Sequence, residues 1–257
     1  MVIDGHCHAG AGDGFTGPWD TRASLRLYRP RARAAGIQKT VVFAAFNSDY
    51  THANAEIASL ALREPGRFLP FLFVHAARSQ GQIGGIVRRA VERGPFLGIK
   101  VHRHDAPLSR EVCEAAQRYR LPVLYDVMGE VHPVTLLARE YPHVSFIVPH
   151  LGSFGDDWRA HETTIDVVAR FPNVYTDTSG VRRFDYVAEA VRRSGAHKVI
   201  FGSDGPFLHP GLELEKIKLL RLPAFAEAMV LGGNMRRLLL GVRKRRCPHG
   251  GSCRSCR

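Results

Sequence analysis

The stretch Met1-Val-Ile-Asp-Gly-His6-Cys-His8 reads as a strand, apolar and β-branched at its start. Residues two apart on a strand share a face, so His6 and His8 present two imidazoles on one side. Such a pair can grip one metal ion. Cys7, between them, is expected to face the other way as a small hydrophobe. Two further apolar runs end on metal-capable side chains. They are Phe146-Ile-Val-Pro-His150 near mid-chain and Val199-Ile-Phe-Gly-Ser-Asp204 near the end. Three such runs, spread over the chain, suggest one site assembled at the ends of parallel strands.

Working outward, strand-like runs are predicted at 1–8, 39–46, 68–75, 97–102, 122–127, 144–150, 173–178 and 198–203. Helical patterns fall near 21–35, 51–64, 81–93, 109–119, 133–141, 157–170, 184–194 and 213–220. Two more follow near 223–230 and 233–240. The strands are continuous apolar runs, as parallel strands covered on both faces are. Ser109 stands where an N-cap would, and Gly195 where a helix C-terminus would end. Eight strand–helix units predict an α/β fold, a single (β/α)8 TIM barrel with extra C-terminal helices. An open doubly wound sheet is the alternative. Gly10, Gly12, Gly14 and Gly17 follow the first strand, but they are too spread out for a phosphate-binding GxGxxG turn.

The 257 residues suit one such domain, set here at 1–241, with a basic Cys/Arg-rich tail at 242–257. No run of about 18 apolar residues suggests a membrane span, and no signal peptide is evident, so a cytoplasmic location is expected. The net charge is +12, and Arg243, Lys244, Arg245, Arg246, Arg254 and Arg257 supply half of it. The barrel itself is therefore only moderately basic. Nonspecific contact of the tail with nucleic acid is the most that this charge implies. Cys247, His249, Cys253 and Cys256 are four zinc-capable groups, but their spacing is compressed for a folded zinc site. Cys7 and Cys113 complete an odd count that does not read as a secreted disulfide framework.

In a barrel the C-terminal strand ends converge on one mouth. Strand by strand they deliver Asp4, His6 and His8; Asn47, Asp49 and His52; His75; Lys100, His102 and His104; Asp126 and Glu130; His150; Asp177 and Ser179; and Asp204. Histidine nitrogen and carboxylate oxygen suit zinc foremost, and also manganese or iron. Asp4 is placed to orient a ligand histidine or, equally, to cap the start of the barrel. Phe15, Trp19 and Trp158 fall in predicted mouth loops, and Arg182 and Arg183 are candidates to receive an anion.

Asp4-Gly-His6-Cys-His8, Gly98-Ile-Lys-Val-His102, Phe146-Ile-Val-Pro-His150-Leu-Gly, Phe201-Gly-Ser-Asp204-Gly-Pro and Leu231-Gly-Gly-Asn234 together resemble the metal-dependent amidohydrolase superfamily. The resemblance is to its amidohydrolase-2 branch, which also holds aminocarboxymuconate-semialdehyde-type decarboxylases, and it covers residues 1–241. It implies His6 and His8 as metal ligands. Asp204 would be a ligand or the base that takes a proton from water. His150 would be a ligand or the group that orients water and polarises substrate. Relatives usually carry a histidine at the end of strand five, where this chain has Asp126: it is a candidate oxygen ligand, or else the metal site is degraded or the enzyme works without metal, as some relatives do. Lys100 would bridge two metals as a carboxylated lysine, bind a substrate carboxylate, or form a plain salt bridge.

The expected function is metal-dependent hydrolysis of a small amide, lactone or ester by activated water. His6, His8 and Asp204 would hold the ion, with Asp126 or His150 completing the shell. Lys100 and His102 would contact the substrate. The alternative is non-oxidative decarboxylation of a small unsaturated or aromatic acid on the same scaffold. A TatD-like nuclease and a non-catalytic binding protein rank lower. The expected partner is a small molecule, with no membrane and with homo-oligomerisation open.

Overall fold

Eight parallel strands pair strictly in chain order, β1 to β8, and a helical segment follows each of them. The structure is a computed structural model that describes residues 1–15 and 22–242. Trp19, Gly17 and the tail from Arg243 lie outside the described residues. The strands are β1 (Val2–Ala9), β2 (Ile37–Ala44), β3 (Phe68–Phe73), β4 (Gly98–His102), β5 (Val123–Asp126), β6 (Phe146–Val148), β7 (Val174–Asp177) and β8 (Val199–Ile200). The helices are α1 (Leu25–Ala34), α2 (Tyr50–Arg63), α3 (Ile83–Glu92), α4 (Arg110–Tyr119), α5 (His132–Glu140), α6 (Trp158–Arg170), α7 (Phe184–Ser194) and α8 (Pro210–Leu219). Two further helices follow, α9 (Ala224–Ala228) and α10 (Asn234–Leu240). The expected TIM barrel with extra C-terminal helices is the fold.

The local signals act as the sequence predicts. Ser109 Oγ accepts the Val112 N–H at the start of α4. Gly195 ends α7 with φ +84, a left-handed conformation that costs glycine little. Both β3 and β4 are buried at every residue, which is why their sequences are apolar without alternation.

The largest difference lies at the seam. The last strand was predicted over 198–203, yet its ladder with β7 covers only Val199 and Ile200. Beyond Ile200 the chain turns its hydrogen bonds to β1. Gly5 N–H donates to Phe201 O at 2.8 Å, and His8 N–H to Gly205 O at 2.7 Å. This nearly closes the barrel. Asp4 pins the seam: its carboxylate accepts the Ser203 N–H at 2.8 Å, the Ser203 hydroxyl, the Tyr28 hydroxyl at 2.7 Å and the His6 N–H at 3.1 Å. Burial pushes the Asp4 carboxyl up to about 6, and these donors restrain the rise.

Cys7 faces away from the two histidines, as expected, and joins Tyr28 and Ala32 of α1 in the apolar layer between barrel and helices.

Candidate metal centre

The mouth of the barrel gathers His6, His8, Lys100, His102, Asp126, His150, Asp177 and Asp204, all of them buried. The pleat of β1 puts His6 and His8 side by side, with ring centroids 5.5 Å apart. Asp204 arrives from beyond β8 in a left-handed conformation, φ +53. His150 follows β6 the same way, at φ +59. Non-glycine residues in this region are strained and persist where the surroundings over-determine them. The His150 N–H donates to Asp177 Oδ1 at 3.1 Å, which is one such restraint. Gly202 gives the site close quarters: a Cβ there would lie 3.0 Å from His6 Cβ and 3.2 Å from Asp177 Cγ, tighter than most such contacts.

Hydrogen-bond partners assign the imidazole tautomers. His6 Nδ1–H donates to Asp177 Oδ2 at 2.9 Å, and His8 Nδ1–H to Ala44 O at 3.0 Å. Both Nε2 lone pairs then face Asp204 Oδ1, each at 3.5 Å. Two lone pairs and a carboxylate oxygen converge there. A divalent cation satisfies all three, so the donor set fits a metal. Burial drives both imidazoles down, His6 to about 4 and His8 well below its ordinary value, so neither carries a competing proton at neutral pH. Burial lifts Asp204 to about 7, against the pull of His150 and Lys100.

Metal uptake at this centre would be linked to one proton. Below about pH 7 the Asp204 proton must leave before the ion binds, so affinity is expected to fall about tenfold per pH unit as pH drops. Calorimetric titration of the metal-free protein between pH 5 and 8 reads this directly, and a pH-independent affinity would exclude Asp204 as a ligand.

His150 differs from His6 and His8. Its Nδ1 lies 2.7 Å from Ser179 O, and its Nε2 lies 3.4 Å from Asp126 Oδ2. Both ring nitrogens face oxygen atoms, an arrangement that accommodates an imidazolium. Burial opposes that charge, but Asp126, Asp177 and Asp204 prevail and raise it to about 9.

Among the described residues, two groups bring ligand atoms within 4.8 Å of one another: His6, His8 and Asp204, and His6, His150 and Asp177. Protons already knit the second group. Asp177 accepts from His6 and from the His150 N–H. It also accepts from the Ser179 N–H at 3.0 Å and the Ser179 hydroxyl at 2.6 Å. Asp177 is the carboxylate of the candidate site whose weight the sequence reading missed, although its place at a strand end was a signal. Asp126 belongs to neither group. Its Oδ2 lies 3.0 Å from His102 Nε2, besides the His150 contact.

Lys100 is fully buried, and its Nζ has no hydrogen-bond partner. It sits 4.9 Å from the centroid of the Phe43 ring. Burial lowers its pKa, while Asp126, Asp177 and Asp204 pull the other way. Aromatic rings surround the histidines: Phe43 and Phe207 lie 4.6 and 5.3 Å from His8, and Phe154 lies 5.3 Å from His150. Phe15 and Trp158 are exposed. The Arg182 and Arg183 side chains are exposed beside Asp156 and Asp185. No helix among the described residues is long and apolar enough to cross a membrane.

The fold recurs in solved structures. An amidohydrolase from Burkholderia multivorans aligns with TM-score 0.78 at 15% identity, over 93% of this chain and 99% of that one. The 2,6-dihydroxybenzoate decarboxylase from Rhizobium aligns with TM-score 0.71 at 15% identity, over 93% and 98%. The 5-carboxyvanillate decarboxylase from Sphingomonas paucimobilis aligns with TM-score 0.73 at 14% identity, over 93% and 99%. At these identities the likeness shows the barrel alone. No curated protein sequence matches the chain. The family model described as Amidohydrolase matches residues 3–240, nearly the whole barrel, and the chain belongs to that family, the amidohydrolase-2 branch of the superfamily.

Proposed function

We propose that the protein is a metal-dependent hydrolase of a small amide, lactone or ester. The observation that carries this reading is the convergence of His6 Nε2 and His8 Nε2 on one oxygen of Asp204. A bound divalent ion, zinc foremost and otherwise manganese or iron, supplies Lewis acidity there, acidifying water and polarising a carbonyl. Asp204 takes the proton of the attacking water. His150 steadies the developing oxyanion or protonates the leaving group. Lys100 and His102 contact the substrate.

A second reading has its own support. Non-oxidative decarboxylation of a small unsaturated or aromatic acid uses the same residues with a different division of labour. Lys100 Nζ, buried and without a hydrogen-bond partner, suits a substrate carboxylate, and His150 can deliver a proton to carbon. Two similar barrels are decarboxylases of aromatic acids by name.

The metal-loaded protein should be given a panel of lactones, N-acyl compounds and aryl carboxylates, with acid release and carbon dioxide release followed separately. Turnover of the carbonyl substrates without carbon dioxide supports hydrolysis. Carbon dioxide release from the carboxylates alone would replace it with the second reading.

A further inference from the structure

The turn that follows β7, Ser179-Gly180-Val181, is gripped from outside the mouth by α8. Glu213, in the first turn of α8, is buried. Its Oε2 accepts the Gly180 N–H at 3.0 Å. Lys216, three residues on, brings its Nζ within 2.6 Å of the same oxygen and donates to Val181 O at 2.9 Å. The Ser179 carbonyl and the Gly180 N–H are the two ends of one planar peptide unit, and they point opposite ways. Glu213 holds the outer end. The inner end faces His150, with Ser179 O 2.7 Å from His150 Nδ1. A carbonyl can only accept, so Nδ1 carries a proton whatever the charge of the ring. Ser179 Oγ lies 2.9 Å from the same nitrogen, but its own proton goes to Asp177 Oδ1 at 2.6 Å. Gly180 is left-handed at φ +67, and a Cβ there would lie 2.6 Å from the Phe154 ring.

From this geometry we infer that Glu213 is a positioning residue that acts on His150 through the Ser179–Gly180 peptide. Its carboxylate fixes the outer end of the peptide and so aims and polarises the carbonyl at the inner end. That carbonyl holds the His150 ring by Nδ1, which leaves Nε2 as the ring atom turned to the mouth, 3.4 Å from Asp126 Oδ2. Glycine offers the least resistance to rotation of its peptide, so the turn needs an outside grip at Gly180. Without Glu213 the carbonyl is free to swing away and the ring loses its fixed acceptor. Glu213 lies on an outer helix, away from every strand end, and no motif marks it. The inference rests on the hydrolytic reading only in taking His150 as a group that acts on substrate.

The full-length protein can test it as wild type, Glu213→Ala and Glu213→Gln. Two readouts are needed. Histidine ring nitrogens are observed by NMR in the isotope-labelled protein, with the His150 signals assigned by their loss in His150→Gln. Steady-state kinetics are measured on the manganese-loaded protein well below its Tm, with circular dichroism as the check on folding. In wild type the His150 ring should carry a hydrogen-bonded proton on Nδ1. Glu213→Ala should shift that signal and lower kcat by about 10–100-fold, with KM changed less than about threefold. The amide oxygen of Glu213→Gln can still accept the Gly180 N–H, so this variant should recover the ring signal and kcat to within about threefold of wild type. A residue that merely holds α8 in place would lower the Tm of Glu213→Ala and leave the ring signal and kcat of the folded protein as they were, and that result would overturn the inference. So would a Glu213→Gln protein as impaired as Glu213→Ala. A wild-type His150 ring with no proton on Nδ1 overturns it without any variant having to fold. Wild-type protein that turns over no substrate would instead overturn the hydrolytic reading, and the ring signals alone would then decide the role of Glu213.

Discussion

Wild-type protein is expected to bind about one divalent ion per barrel, and the His6→Ala/His8→Ala double variant none. The variant removes both Nε2 donors that face Asp204, leaving one carboxylate oxygen that cannot hold an ion by itself. Activity should fall at least about a thousandfold in kcat/KM, or about 4 kcal/mol of transition-state stabilisation. Both rings pack against Phe43 of β2, so some loss of stability is expected beside the loss of metal. Manganese is the better probe than zinc, since the thiols of Cys247, Cys253 and Cys256 attract zinc far more than manganese. Elemental analysis, with circular dichroism as the folding control, reads the result. Full metal occupancy in the double variant would place the centre elsewhere.

Asp177→Ala is expected to damage both stability and metal binding. The carboxylate is fully buried and accepts from His6, from Ser179 twice and from the backbone of His150. Removing it strands these donors in the core, at a cost of about 3–5 kcal/mol. For a chain of this length that corresponds to a Tm lower by roughly 10 °C. Loss of the partner that orients His6 should weaken metal binding by about 10–100-fold. The pH dependence has a definite sign. Burial alone would raise the Asp177 pKa, but His6, His150 and Ser179 overcome it and hold it well below the ordinary value. A depressed carboxylate contributes fully above its unfolded pKa of about 4 and loses that contribution as pH falls further. The stability gap between wild type and Asp177→Ala should therefore be full at pH 7 and narrow below about pH 4. Denaturant titrations at the two pH values measure it. Equal stability at pH 7 together with unchanged metal affinity would show Asp177 to be a bystander.

Much of the barrel was legible because its signals are local. The apolar runs of β3 and β4 announce strands covered on both faces, and Ser109 and Gly195 mark helix ends through their own backbone chemistry. The two-residue spacing of His6 and His8 placed them on one face before any partner was known. The end of the last strand was misjudged because Phe201 to Gly205 look like a strand but bond to β1, closing the seam.

By itself, then, the sequence determined the strand–helix alternation, the convergence of the strand ends on one mouth, and the pairing of His6 with His8. These follow from periods of two residues and from turn chemistry, which act within a few residues. The tertiary structure alone decided the rest. It decided that Asp204 meets both Nε2 atoms, that Asp177 holds His6 and the His150 backbone, that Asp126 lies between His102 and His150, and that Lys100 is left without a hydrogen-bond partner. Such contacts depend on strand tilt and stagger around the closed barrel and on two left-handed turns, at His150 and Asp204. A stagger is a sum over all eight strands, and no single segment of the chain carries it.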